Sequence, residues 1–354
     1  MRTLGRLLGA LLCIILILAV IAGALMFNEL RSLASLHKAD DYPMYRMTYY
    51  GDYGFDGFLK TGATSDSDIE NYVTKRLLKG LPLDLGVTGD GCTAFVAHNA
   101  DGDVIYGRNF DFEYTPSLQV FTDPDDGYAS VSTVNLTFAG YSADNLPARG
   151  VSASSFLTLA APYLPFDGMN EKGVAIALLA VPDAQPPTDK DITLNTTTAI
   201  RLVLDKAASV DEAVELLQEY NIYFPADVQC HYLIADATGA SVIVEYWDGK
   251  LVTTEPDADY QIASNFVAYD GLNIGEGFTE FERYDAVKAR LEEGGGTISE
   301  EAAIALLAQI GLRDGDEDLL QWSAVYNLTE LTGQIFAHRN TDNVMGFNIK
   351  GAAE

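Results

Sequence analysis

The sequence predicts an α+β protein in which antiparallel sheets are covered by helices. Three observations carry this reading. Strand-like segments come in long runs and helical segments are inserted in pairs, which is not the alternation that winds a parallel sheet. No GxGxxG turn, phosphate-binding loop or internal repeat occurs. Hydrophobic residues make up 48 % of the 354 residues, enough for a large core and one or two domains. The charge balance is strongly acidic, 51 Asp and Glu against 22 Lys and Arg, a net charge of −29. A phosphate backbone needs clustered cations, so nucleic acid is excluded as a partner. The acidity reads as a well-solvated surface.

Taken in order, the chain opens with Arg2 and Arg6 ahead of Leu7–Phe27, a run without a charged residue. Such a run is long enough to cross a bilayer as a helix, and the preceding arginines favour a cytoplasmic N-terminus. A retained signal anchor and a cleaved signal peptide both fit. The length, and the lack of a small-x-small cleavage site near its end, favour the anchor. Residues 1–28 are therefore assigned to the membrane, with the remainder outside the cytoplasm. Residues 29–91 read as a propeptide or linker with one helix, from Asp66 to Leu81, stopped by Pro82. Residues 92–354 read as the main domain.

Within that domain Thr93, Phe95 and Ala97 alternate with Ala94 and Val96 as in a strand. Asn99–Gly102 is turn chemistry, and Val104–Tyr106 returns as the second strand of a hairpin. Ser130–Gly140 reads as a strand. Val151–Leu164 is apolar without a clear period. Gly168–Gly173 reads as a tight turn before a buried strand, Val174–Val181. Thr197–Ala208 is helical, and Ser209 with Glu212 forms a capping box for a second helix to about Tyr220. His231–Ala235 and Ser241–Tyr246 form a hairpin. Phe281–Leu291 and Glu300–Ile310 are helical, and Trp322–Leu328, Gln334–His338 and Val344–Ile349 close the chain as strands.

The chemistry concentrates at Cys92. The hairpin carries Arg108 and Asp111 back beside it, so a thiol, a guanidinium and a carboxylate converge. With three cysteines, Cys13, Cys92 and Cys230, there is no disulfide framework. A thiol attacks once its proton is removed. None of the four histidines stands in a local signature with Cys92. Another base exists if the Gly91–Cys92 bond is cut: the freed α-amine, with an ordinary pKa of about 7.7–8.0, lies within reach of its own sulfur. Gly91 tolerates the backbone distortion that such a cut requires.

These residues resemble the N-terminal-nucleophile hydrolases, and more narrowly the linear-amide hydrolases: choloylglycine (bile salt) hydrolase, penicillin V acylase, acid ceramidase, N-acylethanolamine acid amidase and the penicillin-forming acyltransferases. The resemblance rests on Cys92-Thr93, Gly107-Arg108-Asn109-Phe110-Asp111, Gly168-Met169-Asn170-Glu171-Lys172-Gly173, Asn265 in Ala263-Ser264-Asn265, and Arg283 in Glu282-Arg283-Tyr284. It covers nearly everything from Cys92 onward. It implies a four-layer αββα sandwich of two antiparallel sheets and self-cleavage between Gly91 and Cys92. It also implies roles: Cys92 as nucleophile with its own amine as base, Asp111 holding that amine, Arg108 stabilising the thiolate, Asn265 giving its side-chain amide to the oxyanion hole, and Arg283 completing the charge set. One position departs. Bile salt enzymes carry Asn, and penicillin acylases often Tyr, where this chain has Ala180, whose backbone N–H can still serve the oxyanion hole.

The expected activity is hydrolysis of a linear amide with an apolar acyl group, through a Cys92 thioester. Acyl transfer by the same site and a non-catalytic, membrane-anchored binding domain are the alternatives. A homo-oligomer is compatible with the sequence. No cofactor or metal is expected. Asp314–Asp318 has the acidic spacing of a calcium loop, but Leu319 stands where that loop needs Gly. Asn135, Asn195 and Asn327 lie in glycosylation sequons.

Overall fold

The computed structural model describes residues 13, 23–80, 91–275 and 278–349. The expected membrane segment, Leu7–Phe27, lies outside the described residues except for Cys13 and Gly23–Phe27. Among the described residues no helix is long and apolar enough to cross a membrane.

After helix α1 (Phe27–Ser35) come strands β1 (His37–Asp40) and β2 (Met44–Tyr49) and helices α2 (Phe55–Phe58) and α3 (Asp66–Arg76). The hairpin β3 (Cys92–His98) and β4 (Val104–Asp111) follows, then β5 (Ser117–Thr122), β6 (Ser130–Asn135), β7 (Pro165–Asn170), β8 (Ala175–Ala180) and β9 (Thr193–Asn195). Helices α4 (Thr196–Lys206) and α5 (Val210–Gln218) precede β10 (Asn221–Tyr223), β11 (Cys230–Ala235), β12 (Ser241–Trp247), β13 (Lys250–Thr254) and β14 (Gln261–Ala263). Helices α6 (Phe278–Glu293) and α7 (Glu300–Ile310) lead to a short hairpin, β15 (Arg313–Asp314) with β16 (Glu317–Asp318), on the acidic run with calcium-loop spacing. Strands β17 (Leu320–Asn327), β18 (Thr332–Ala337) and β19 (Met345–Asn348) end the described chain.

Two sheets result. Nine strands run in the order β1-β2-β5-β6-β7-β8-β11-β12-β13, and six in the order β14-β3-β4-β17-β18-β19. They meet face to face where β3 packs against β8 and β11. Helices α4 and α5 cover the outer face of the larger sheet, and α6 and α7 that of the smaller. This is the four-layer αββα sandwich. Strand β3 shows why it forms. Ala94 and Val96 enter the core shared by the two sheets, while Phe95 and Ala97 join Val287, Leu291 and Leu307 beneath the helices. Alternation thus persists with both faces apolar, as a middle layer requires.

The segment 29–91, expected to hold one helix, holds more in its described part. Residues 37–49 form β1 and β2 of the larger sheet, and β2 pairs in parallel with β5, so that sheet is not wholly antiparallel. Tyr53 is buried and donates to both carboxylate oxygens of Asp205, at 2.7 and 2.8 Å. The segment is therefore built into the core. Strand β2, Met-Tyr-Arg-Met-Thr-Tyr, alternates Arg46 and Thr48 with Tyr45, Met47 and Tyr49, yet Arg46 is buried as well because both faces are covered.

Other boundaries shift for local reasons. Helix α3 ends at Arg76, and Lys79 and Gly80 then take positive φ. Strand β6 ends at Asn135, whose side chain caps a 3-10 turn over Leu136–Ala139. The aperiodic Val151–Leu164 segment contains a 3-10 helix, Ala153–Tyr163, opened by a Ser152–Ser155 capping box. Gly168 and Met169 belong to β7 rather than to a turn. The turn is held by Asn170, whose Oδ1 accepts from Lys172 and Val174 N–H and whose Nδ2 donates to Leu204 and Ala207 carbonyls at the end of α4.

Candidate active site

Cys92 opens β3 and is 2 % exposed. The β3–β4 register places Cys92 opposite Phe110 and Ala94 opposite Arg108, so the thiol and the Arg108 guanidinium share the face toward the larger sheet. Thr93, Asn109 and Asp111 share the other face. There Asn109 donates to the Leu307 carbonyl of α7, and Asp111 meets α6. The two sequence-predicted charges thus approach the Cys92 end of β3 from opposite sides of one sheet.

Arg108 is fully buried. Its Nε donates to Asp167 Oδ2 at 2.7 Å, and its Nη2 reaches the Phe166 and Leu178 carbonyls. The β7–β8 ladder runs from Met169↔Ala175 to Asp167↔Ala177, and the guanidinium enters where the strands part beyond it. Burial would lower the Arg108 pKa. The Cys92 sulfur, within hydrogen-bonding reach, and Asp167 outweigh that and hold the guanidinium charged. Asp167 also accepts from Trp322 Nε1 at 2.8 Å and Tyr326 Oη at 2.6 Å. A buried carboxylate with three donors is a satisfied one. Sequence reasoning missed this trio. Its one available signal was an acidic residue inside a strand otherwise set for burial.

Asn265 is brought in by β14, where Ala263 pairs with Ala94. Two residues further along that register, Asn265 stands opposite Cys92. Its Oδ1 accepts from the Cys92 backbone nitrogen at 2.6 Å and from Arg283 Nη2 at 2.8 Å, while Nδ2 donates to the Ala180 carbonyl at 2.7 Å. Two donors on one side and a carbonyl on the other fix the amide orientation. Arg283, near the start of α6, also bonds Asp111 Oδ2 at 2.7 Å through Nη1, and the Leu312 backbone N–H donates to Asp111 Oδ1 at 2.7 Å. Burial pushes the Asp111 carboxyl above its ordinary range, and Arg283 opposes that.

The structure therefore gathers Cys92, Arg108, Asp111, Asn265, Arg283 and Ala180 around one point, with partners that differ from expectation. Asn265, rather than Asp111, contacts the Cys92 nitrogen, here still a peptide N–H standing where the freed amine would be. The Asn265 amide is engaged with Ala180. Val181 N–H bonds Gln229 of the loop before β11, so Ala180 turns both its N–H and its carbonyl away from that strand, toward Asn265. The Gly91 carbonyl accepts from the Asp111 backbone N–H at 2.9 Å. A Cβ at Gly91 would run into Leu312 and lie 2.9 Å from Arg283 Nη2, so no larger residue fits the present packing.

Cys230 borders the site, paired with Ala180 across the β8–β11 ladder, and burial, with the nearby Cys92, pushes its thiol up to about 12. The remaining candidates lie apart from Cys92. His231 pairs with Glu245 at 3.0 Å, and His338 stacks on Tyr42. The sequon residues Asn135, Asn195 and Asn327 are buried and hydrogen-bonded, Asn195 as the cap of α4. Among the described residues no group of three or more His, Cys, Asp or Glu is placed to hold a metal.

Comparison with known proteins shows the family. The model of the linear amide C-N hydrolases, choloylglycine hydrolase family, matches residues 92–292. Bile salt hydrolase/transferase of Clostridium perfringens (strain 13 / Type A) is 28 % identical over 227 residues, 58 % of this chain and 66 % of that protein. Penicillin V acylase of Pectobacterium atrosepticum is 34 % identical over 116 residues, 29 % of this chain and 31 % of that protein. The chain thus spans just under two thirds of the first relative and about a third of the second. A crystal structure of a variant of conjugated bile acid hydrolase from Clostridium perfringens shares the fold with a TM-score of 0.54, at 18 % identity over 73 % of this chain and 93 % of that one. With more than half its length matched by the family model, from Cys92 onward, the chain belongs to the choloylglycine hydrolase family of linear amide C-N hydrolases.

Proposed function

We propose that this chain cuts its own Gly91–Cys92 bond and then hydrolyses a linear amide of an N-acyl substrate. The acyl-amide class is that of bile salts, N-acylethanolamines, ceramides or penicillin V. One observation supports the reading: the Cys92 nitrogen bonds Asn265 Oδ1 and the Gly91 carbonyl accepts from the Asp111 N–H, so both sides of the Gly91–Cys92 bond are held by residues of the proposed site.

In the first reaction the Cys92 sulfur attacks the Gly91 carbonyl carbon. The carbon–sulfur bond forms, the carbon–nitrogen bond breaks, and the thiol proton passes to the departing nitrogen. The Asp111 N–H faces the oxygen on which charge develops. Water then cleaves the thioester, leaving a Gly91 carboxylate and a free Cys92 amine. In the second reaction that amine takes the thiol proton, and the sulfur adds to the substrate amide. The leaving amine departs protonated, and water releases the acid from the thioester. Arg108 steadies the sulfur anion, and the Ala180 N–H with the Asn265 amide receives the substrate oxyanion once Asn265 releases the Ala180 carbonyl.

Acyl transfer is the second reading, since the Clostridium relative's name includes transferase. Loops 113–127, 143–165 and 183–195 would select the acyl group. We further propose that Leu7–Phe27 anchors the enzyme with its catalytic domain outside the cytoplasm. Intact mass and N-terminal sequencing test the first reaction, expecting a chain that begins at Cys92. Cys92→Ala is expected to abolish both that cut and amide hydrolysis, and survival of either overturns the assignment. Adding a competing amine separates hydrolysis from transfer.

A further inference from the structure

A cavity of about 480 Å³ lies between the β12–β13 edge of the larger sheet, β14 of the smaller sheet, and α6. It sits behind the active site. Asn265 and Arg283 face Cys92, and their chain neighbours Phe266 and Tyr284 line this cavity. We propose that it binds a protonated organic amine with an aromatic or extended apolar body.

Three features select that chemistry. Deep in the lining, Gln261 is 5 % exposed and gives its Nε2 to the Thr254 carbonyl at 2.7 Å. Its Oε1 and the Thr254 hydroxyl are buried and have no partner among the described residues. The Gln261 oxygen can only accept and the Thr254 hydroxyl can accept or donate, so a ligand that donates N–H or O–H answers both. Phe266 stacks on Phe281 with centroids 4.7 Å apart and meets Tyr284 edge-on at 5.4 Å, forming an aromatic wall. Such a wall takes an apolar body and attracts a cation. Around the mouth stand Glu255, Asp257 and Asp285, all exposed, with no Lys, Arg or His in the lining. Carboxylates there reject an anion and favour a positive charge over a neutral donor. A hydroxyl satisfies the acceptors but not the rim, and an alkali cation satisfies the rim but not the aromatic wall. An ammonium on an apolar stem satisfies both.

The test uses the full chain carrying Cys92→Ala, so that no amide turnover interferes. Phenethylammonium chloride, 2-phenylethanol and 3-phenylpropionate are titrated by calorimetry, with saturation-transfer NMR as a second readout. The expected result is saturable one-to-one binding of the ammonium, at least tenfold weaker binding of the alcohol, and none of the carboxylate. The Asp257→Asn, Asp285→Asn double variant, altered only at exposed positions, is expected to keep its melting temperature and lose at least fivefold in ammonium affinity. Absence of saturable ammonium binding overturns the proposal. So does equal binding of alcohol and ammonium, or an affinity unchanged in the double variant.

Discussion

The Cys92 backbone nitrogen and the Asn265 side-chain oxygen lie 2.6 Å apart, joined by a hydrogen bond that spans 173 positions of sequence. Asn265 uses its oxygen on the nucleophile's own residue and its nitrogen on Ala180, so the two halves of one amide serve different ends. Asn265→Asp separates them. The carboxylate keeps an acceptor for Cys92 and Arg283 and loses the donor toward the oxyanion position. Self-cleavage is expected to persist within about tenfold, while amide hydrolysis falls about 10²–10³-fold, the usual cost of one oxyanion donor. Mass spectrometry follows the first rate and amide turnover the second; parallel loss of both would show that the oxygen matters as much as the nitrogen.

Gly91→Ala tests the cradle around the scissile bond. The added methyl meets Leu312 Cδ1 and Arg283 Nη2, and the arginine is pinned by Asp111 and Asn265. The carbonyl must then move off the Asp111 N–H. Processing is expected to slow at least tenfold, and the further change Leu312→Ala should restore part of the rate by making room. Wild-type processing in the single variant would mean that the carbonyl's position is irrelevant to the cut.

Much of this site could be read from the chain because each motif is local. Cys92 with Arg108 follows from a hairpin read off the chain, whereas Asn265 and Arg283 came only through the family resemblance. Glu300–Ile310 matches the observed helix because its period is unambiguous and Ser299 caps it. What was illegible depends on distant partners. Strand β2 is completed by a parallel neighbour about seventy residues away, β5, which nothing local to Met44–Tyr49 announces. Asp167 acquires its meaning only when β4 and β17 deliver Arg108, Trp322 and Tyr326 to it. Nor could spacing show that Asn265, rather than Asp111, would meet the Cys92 nitrogen, since Asn265 arrives by way of β14, paired with β3, from 173 positions along the sequence.

Asp167→Asn is expected to be among the most damaging single changes outside Cys92. It leaves the fully buried Arg108 without its carboxylate, a loss worth about 3–5 kcal/mol when a buried pair is broken from one side. Trp322→Phe and Tyr326→Phe each remove one donor to Asp167 and should cost about 1–3 kcal/mol. Because the three act on one carboxylate, the double variant should depart from additivity. Denaturant unfolding measures all four. An Asp167→Asn protein as stable as wild type would show that Arg108 is held by the Phe166 and Leu178 carbonyls instead.

The last expectation concerns acid. His338 stacks on Tyr42 with centroids 4.1 Å apart, and burial lowers its pKa from the ordinary 6.5 although Asp318 and Asp40 pull the other way. The sign follows from linkage. A histidine whose folded pKa is depressed binds its proton less tightly when folded, so its contribution is complete above about 6.5 and declines as pH falls through the folded value. Other groups also titrate in this range, so the informative quantity is a difference. Melting temperatures of wild type and His338→Asn are compared at pH 7.5 and 5.0. Asn accepts the positive φ of 51° at this position and carries no titrating proton. The wild type should lose more stability on acidification than the variant. Equal losses would show that the imidazole does not carry the acid sensitivity of this edge.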